Sequence, residues 1–202
     1  MKNLSAAKCN VLIYGDNHAR GSAPRLQLNL GKDYAVSSFI KPGAQMKAIS
    51  TTANIERKLL KSEDVLVLWG GSSNISKNNM REAITNVFEL VKESKEANII
   101  LINAPHRHDL IPELCVKKEV SKYNRFLEKL AKLYNKVSYF EADLDRSHFT
   151  RHGMHMNAKG KDYLSHQLAV QIDPIFNKPQ SPPFLFPGIC QILNLLLLTL
   201  MI

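Results

Sequence analysis

The sequence predicts an α/β fold, a three-layer α/β/α sandwich built on a parallel sheet of about five strands. The first supporting observation is a set of short apolar runs with almost no charge, as expected for parallel strands covered on both faces. The second is that stretches of helical periodicity alternate with these runs, which favours a parallel sheet with helices on both sides. The predicted strands are Val11–Tyr14, Tyr34–Ile40, Asp64–Trp69, Asn98–Asn103 and Val137–Phe140.

Four stretches between and after these runs are predicted to be helices, because their apolar residues recur every three or four positions. The second of them is the clearest, since its apolar residues from Met80 to Val91 share one face. The predicted helices are Ala44–Leu60, Asn78–Glu96, Val116–Tyr134 and Ala158–Ile172.

Composition sets the broad class of the protein. The chain has 202 residues, 45% hydrophobic and 22% charged, which suits one globular α/β domain. Its net charge of +9 favours acidic partners. The three cysteines are far apart and form no CxxC pair, which argues against a disulfide framework or a cysteine metal site. The first residues contain no apolar segment of signal-peptide length, so we expect an intracellular, cytoplasmic location.

The loops that follow the predicted strands carry most of the histidines. Ligand sites in sheets of this kind form beyond the carboxyl ends of the strands, so these loops are the expected site. The exception is His166, on the last predicted helix. The loop histidines are His18, His106, His108, His148, His152 and His155.

Four short blocks occur in a fixed order: YGDNHARG, KPGAQ, GGSSNI and HGMHMNAKG. In this order they resemble the GDS, glycine, G-x-N-D and D-x-x-H blocks of the SGNH (GDSL-type) hydrolases. The resemblance spans roughly Asn10 to Ile172 and implies a flavodoxin-like SGNH hydrolase fold. The segments GDNHARG and FTRHGMHMNAKG are also similar to SGNH-type domains of animal non-LTR retrotransposons.

The resemblance implies an ester substrate and no cofactor. In the family, the serine of the first block attacks an ester carbonyl, the histidine of the last block takes its proton, and the aspartate orients the imidazole. Two backbone N–H groups and the asparagine side chain hold the oxyanion. His155 matches the base of this scheme, and Gly43 matches the glycine donor.

Four other positions depart from the family pattern. Asn17 stands in place of the nucleophilic serine, and His152 in place of the orienting aspartate. Ser73 stands in place of the oxyanion asparagine, and Asn74 in place of the aspartate beside it. Loss of the nucleophile alone lowers turnover by about 10⁶ in a serine hydrolase, so we expect ester hydrolysis that is weak or absent.

These positions also have simpler interpretations. The preferred interpretation of Asn17 is a helix N-cap, and the alternative is a side chain that hydrogen-bonds a ligand. Asp16 could be the capping residue instead. A one-residue shift in register would place Asn74 in the oxyanion position, and a serine of the same block could replace the nucleophile near His155. Gly43 also suits an ordinary turn.

The base has no obvious orienting carboxylate. Asp143 and Asp145 lie in the same loop as His155 and are candidates. Asp145 also forms a D-x-x-H pair with His148, outside the glycine and asparagine context of the last block. His148, His152 and His155 have a spacing that can hold zinc, but no carboxylate is placed to support them, so we predict no metal.

The third predicted helix carries a row of basic residues opposite its apolar face. A solvated helix face is the simpler interpretation of such a row. The alternative is a surface that contacts phosphates without reading sequence, as in a non-enzymatic nucleic-acid- or partner-binding domain of a mobile-element protein. The basic row consists of Lys118, Lys122, Arg125, Lys129, Lys132 and Lys136.

The composition changes near residue 173. We predict a hydrolase-like domain over residues 1–173, a proline-rich linker over 174–183 and an uncharged apolar tail over 184–202. The tail is long enough to span a bilayer, for which about 20 residues are needed. Two interpretations stay open, a membrane anchor and an unrelated extension.

Overall fold

A computed structural model describes residues 9–94, 97–110 and 115–176. Within these residues five strands form one parallel sheet, and helices cover it. The strands are β1 (Cys9–Gly15), β2 (Tyr34–Ile40), β3 (Val65–Trp69), β4 (Asn98–Ile102) and β5 (Val137–Phe140). The α-helices are α1 (Ser22–Leu30), α2 (Met46–Glu56), α3 (Ser72–Ser76), α4 (Met80–Glu93), α5 (Cys115–Leu133) and α6 (Ala158–Phe176). Short 3-10 helices cover Asn17–Ala19, Arg57–Leu59 and Arg146–His148.

The strand order places the ends of β1 and β3 side by side. The order is β2-β1-β3-β4-β5, and every pairing is parallel. The strand order reverses between β1 and β3, and in doubly wound sheets ligands bind beyond the carboxyl ends of the strands at such a point. Gly15 pairs with Trp69 on one side and with Ile40 on the other, so the loops after the first three strands meet at one edge.

Two hydrophobic cores lie on the two faces of the sheet. One core joins the sheet to α2, α3, α4 and α5, and the other joins it to α1 and α6. All residues of β3 are buried, because this central strand has helices on both faces. Each fully buried Leu, Ile or Val side chain stabilises the fold by about 1.5–3 kcal/mol relative to an exposed one. The predicted three-layer α/β/α sandwich is confirmed.

The predicted strands are confirmed, but one expectation about them is wrong. β2 lies at the edge of the sheet and is only partly buried, so it is not covered on both faces. Phe39 in this strand is 41% exposed and stacks on Tyr14 with ring centroids 4.9 Å apart. Two helices, α1 and α3, were not among the predicted helices, and α2 ends at Glu56 rather than at Leu60.

The last helix runs to Phe176, past residue 173, with Pro174 near its end. The rest of the predicted linker and the whole 184–202 tail lie outside the described residues. Over the ranges that the structure describes, no helix is long and apolar enough to cross a membrane.

Candidate active site

The site begins at a tight turn between β1 and the 3-10 helix Asn17–Ala19. We call this turn the Asn17 corner. A Cβ atom on Gly15 would lie 2.6 Å from both the Ala19 Cβ and the Trp69 carbonyl oxygen, so only glycine fits. The next backbone N–H, that of Asp16, donates to the Trp69 carbonyl oxygen at 3.2 Å. The corner is therefore fixed against the end of β3.

Asp16, and not Asn17, caps the short helix at this corner. The Asp16 carboxylate accepts the backbone N–H of His18 at 2.9 Å, while Asn17 is the first residue inside the helix. The preferred interpretation of Asn17 as an N-cap is therefore wrong, because its neighbour already occupies the capping position.

The Asn17 side chain is partly buried, and its amide makes no hydrogen bond with any of the described residues. Its backbone N–H likewise finds no acceptor among them. An amide offers one acceptor oxygen and a planar NH₂ donor, and it is a poor nucleophile. Asn17 can therefore donate and accept hydrogen bonds at this corner, but it has no nucleophilic hydroxyl.

His18 and His155 meet beside this corner. Their ring centroids are 6.2 Å apart, and the His18 ring also lies 6.0 Å from the ring of Trp69. His18 is only 8% exposed, whereas His155 is exposed. The Nδ1 atom of His18 is enclosed and has no hydrogen-bond partner among the described residues, a condition that costs about 1–3 kcal/mol.

Burial and nearby charges shift the pKa values of two buried side chains of the corner, Asp16 and His18, in opposite directions. Burial raises the pKa of Asp16, and the neighbouring His18 and His155 only partly offset that effect. Burial also lowers the pKa of His18. Asp16 opposes this shift, while His155 and Arg107 reinforce it. The neutral form of His18 is therefore favoured in the folded protein.

The loop after β4 forms the rim above the two histidines. Arg107 donates two hydrogen bonds to the Asp109 carboxylate and one to the Ser76 hydroxyl, the last at 3.1 Å. These bonds are the main cause of the lowered pKa of Asp109, and the charge of His155 adds to the effect. The backbone N–H of His108 donates to the Gly153 carbonyl at 3.1 Å, which holds the rim to the last block.

Ser73 and Gly43 are in direct contact. The Ser73 hydroxyl donates to the Gly43 carbonyl at 2.9 Å, so it holds the loop after β2 to the start of α3. The backbone N–H of Gly43 has no acceptor among the described residues and is free to serve as a donor. Ser73 makes no hydrogen bond with His155 in the described part of the chain, because its hydroxyl is engaged with Gly43.

Asn74 has a structural position. It is fully buried, and its side-chain oxygen accepts the backbone N–H of Met46 at 2.7 Å, which caps the N-terminus of α2. Its amide nitrogen faces Glu82 at 3.5 Å. The register shift that would make Asn74 an oxyanion donor therefore does not occur, because both ends of its amide face groups of the protein.

A glycine beside Asn74 links the third block to α5. Gly71 has a φ of 105°, and a Cβ on it would lie 2.6 Å from the ring of Tyr123. The ring thus packs directly beneath the loop. Burial, with a contribution from Asp16, raises the pKa of Tyr123 well above its ordinary value.

The last block supplies no carboxylate to orient His155. His152 is exposed and makes no hydrogen bond with the described residues. Asp145 accepts the backbone N–H of Ser147 at 2.7 Å, and its own backbone N–H donates to His148 Nδ1 at 3.2 Å, so the two residues form a capping box on a 3-10 helix instead.

The D-x-x-H pair of Asp145 and His148 is structural. His148 is buried, and its ring stacks on Tyr163 with centroids 4.8 Å apart. His152 and His155, by contrast, are exposed. Among the residues that the structure describes, no three His, Cys, Asp or Glu side chains are arranged to hold a metal ion.

The basic row lies on the exposed side of α5 and the turn that follows it. Lys122 pairs with Glu119 at 3.0 Å, and Lys132 pairs with Glu128 at 2.6 Å. Lys136 lies in the turn before β5 rather than on the helix. The exposed members are Lys118, Lys122, Arg125, Lys129, Lys132 and Lys136.

Comparison with known proteins identifies the fold. No protein-family model and no curated protein matches the chain. Among solved structures, a carbohydrate acetylesterase from Sinorhizobium meliloti has a TM-score of 0.67 and 15% identity, over 84% of this chain and 99% of that one. The catalytic domain of a peptidoglycan O-acetyltransferase from Streptococcus pneumoniae has a TM-score of 0.65 and 18% identity, over 87% and 98%.

A third solved structure is a serine-to-alanine mutant of an acetyl esterase with an acetate ion. Its TM-score is 0.61 at 10% identity, over 83% of this chain and 98% of that one. This chain has the fold of the SGNH hydrolases. At these identities the likeness concerns the SGNH fold alone, so the chemistry of the site has to be argued from its own residues.

Proposed function

We propose that this domain is a relative of the SGNH esterases that binds the acyl group of an ester, or the carboxylate derived from it, with little or no hydrolysis. The observation that carries the proposal is Asn17. It stands at the end of β1 where the resemblance requires a serine, and its amide has no partner among the described residues. The turn that would present a nucleophile is present, but the Asn17 amide binds a ligand rather than attacking an ester carbonyl.

The donor groups of the corner support ligand binding. The backbone N–H groups of Asn17 and Gly43 have no acceptor among the described residues. Two such donors suit a carbonyl or carboxylate oxygen, the group that an oxyanion hole is arranged to hold. One structural neighbour, a serine-to-alanine mutant of an acetyl esterase, contains an acetate ion, which is consistent with carboxylate binding on this fold.

The base of the family scheme is present but lacks support. In a serine hydrolase the histidine accepts the nucleophile's proton, and a carboxylate bonded to its other nitrogen stabilises the imidazolium. Here His155 has no hydrogen-bonded carboxylate among the described residues, and Asn17 offers no proton that needs removal for attack. Both halves of the proton-transfer step are therefore weakened.

The proposal is tested by measuring both binding and turnover on the full chain. Acetate should perturb the NMR signals of Asn17 and Gly43, while a short activated ester should be hydrolysed no faster than by the His155→Ala variant. Hydrolysis well above that variant that disappears in Ser73→Ala would contradict the proposal and assign the nucleophile to Ser73. Absence of any acetate effect would contradict the binding half.

A second candidate function is nucleic-acid binding through the basic row. The observation in its favour is that all six members are exposed along one side of α5 and its following turn. Two of them are paired with glutamates of the same helix, and these pairs reduce the positive potential along the row. A phosphate-contacting surface of this kind would bind without sequence preference.

Three other expectations from the sequence stay predictions. The likeness to retrotransposon-encoded domains is one, and the cytoplasmic location is another. The third is membrane association, which depends on whether the 184–202 tail is an anchor.

A further inference from the structure

Two histidines and a buried carboxylate meet at the Asn17 corner without a hydrogen bond between their side chains. The His18 and His155 rings lie 6.2 Å apart between centroids, and Asp16 bonds only the backbone N–H of His18. The Nδ1 atom of His18 is enclosed and unpaired among the described residues. The corner therefore holds a polar group whose partner the described part of the chain does not supply.

The charged and titratable groups around His18 come from several elements. Asp16, at the end of β1, is only 3% exposed and favours a charged His18. His155, from the last block, and Arg107, from the loop after β4, both oppose that charge. Arg107 is itself paired with Asp109, whose pKa His155 also lowers, while burial and the charge of Asp16 raise the pKa of Tyr123 of α5.

We infer that the corner binds a carboxylate anion together with a proton, which the His18–His155 pair takes up. This inference rests on the proposed function and adds a chemical condition to it. Burial, His155 and Arg107 oppose a proton on His18, and Asp16 favours it. A carboxylate held by the Asn17 and Gly43 N–H groups would bring a negative charge to the same place and would reverse that balance.

Linkage then fixes the direction of the pH dependence. If binding of the anion favours the protonated pair, protonation of the pair must favour binding of the anion by the same factor. Affinity should therefore rise as pH falls through the range in which histidines titrate, between about pH 8 and 5. With one proton taken up, the change approaches about tenfold for each pH unit. A neutral ester would gain no such advantage.

The test uses acetate as the probe and the full chain as the protein. Histidine ring signals are followed by NMR across the pH range, in acetate and in chloride at equal ionic strength. Calorimetry in two buffers of different ionisation enthalpy counts the protons taken up for each acetate bound. We expect acetate to raise the titration midpoints of His18 and His155, and proton uptake to accompany binding.

Variants assign the effect to the pair. His155→Gln, at an exposed position, and His18→Gln should each reduce proton uptake, whereas His166→Gln on the exposed side of α6 should leave it unchanged. If His18→Gln does not fold, the His155→Gln result and the ring signals of the parent decide the question. Acetate binding with no proton uptake would overturn this inference and leave the proposed function standing. No acetate binding at any pH would overturn both.

Discussion

The His18 and His155 rings lie with their centroids 6.2 Å apart, although one histidine follows the first strand and the other precedes the last helix. The two rings approach each other because β1 lies inside the sheet beside β3, so that the loop after β1 meets loops from distant parts of the chain. The Asn17 corner therefore has two titratable neighbours, the buried His18 and the exposed His155.

Replacing Asn74 should destabilise the fold rather than change ligand chemistry. Asn74→Ala removes the oxygen that accepts the Met46 N–H and leaves that buried donor unpaired. We expect a loss of about 1–3 kcal/mol in the free energy of unfolding, measured by urea denaturation. The matched control is Asn29→Ala at an exposed position of α1, expected within about 0.5 kcal/mol of the parent. Equal effects of the two variants would show that the cap on α2 contributes little.

Replacing His18 should make the free energy of unfolding less dependent on pH in mild acid. Its pKa is lower in the folded protein than in the unfolded chain, so below about pH 6.5 the unfolded chain binds a proton that the folded one resists. The contribution of His18 to stability is therefore present above about pH 6.5 and is lost as pH falls below it. Asp16, whose pKa is raised, acts in the opposite direction at lower pH.

The measurement is the urea midpoint of His18→Gln and of the parent at pH 7.5 and 5.5, two values on either side of about 6.5. The parent should lose more stability between these values than the variant. His166→Gln, which replaces an exposed histidine, should follow the parent. A variant whose midpoint falls as steeply as that of the parent would mean that His18 titrates normally in the folded state.

The basic row can be tested by the salt dependence of oligonucleotide binding. Lys118, Arg125 and Lys129 are exposed members with no ion pair among the described residues, and changing all three to Gln removes three charges. If each contacts one phosphate, the slope of log affinity against log salt should fall by about 2–3. Affinity should change little with base sequence.

The control variant changes three exposed lysines outside the basic row to Gln, which alters the net charge equally. These are Lys32, Lys61 and Lys77. Fluorescence anisotropy of a labelled oligonucleotide across a salt series gives the slopes. Equal slopes for the two triple variants would mean that binding follows net charge and that the basic row is a solvated face.

Much of the fold could be predicted because its strands are nearly all apolar. β3 and β4 lie inside the sheet, so almost every residue in them is buried and the run stands out in the sequence. α1 was missed because few of its residues face the core, with Ala23 and Leu26 as its buried apolar side chains. α3 was missed because five residues rich in serine show no helical period.

The candidate site could be predicted only in part. The position of Asn17 and the loops that surround it follow from the order of strands and blocks. The roles of Asp16, Asn74 and Asp145 do not, since capping depends on which of several neighbouring polar residues adopts the extended backbone before a helix. The meeting of His18 with His155 depends on contacts between distant loops, which no local spacing encodes.

The central claim is that the Asn17 corner lacks the nucleophile of an esterase, and that the present chain therefore binds without efficient hydrolysis. The most direct test is turnover of a short activated ester by the full chain, by Asn17→Ser and by the double variant Asn17→Ser/His155→Ala. The account predicts no turnover by the parent above the His155→Ala background. It predicts a gain for Asn17→Ser that the double variant loses, because the new hydroxyl would depend on His155 for activation. Turnover by the parent equal to that of Asn17→Ser would contradict the claim.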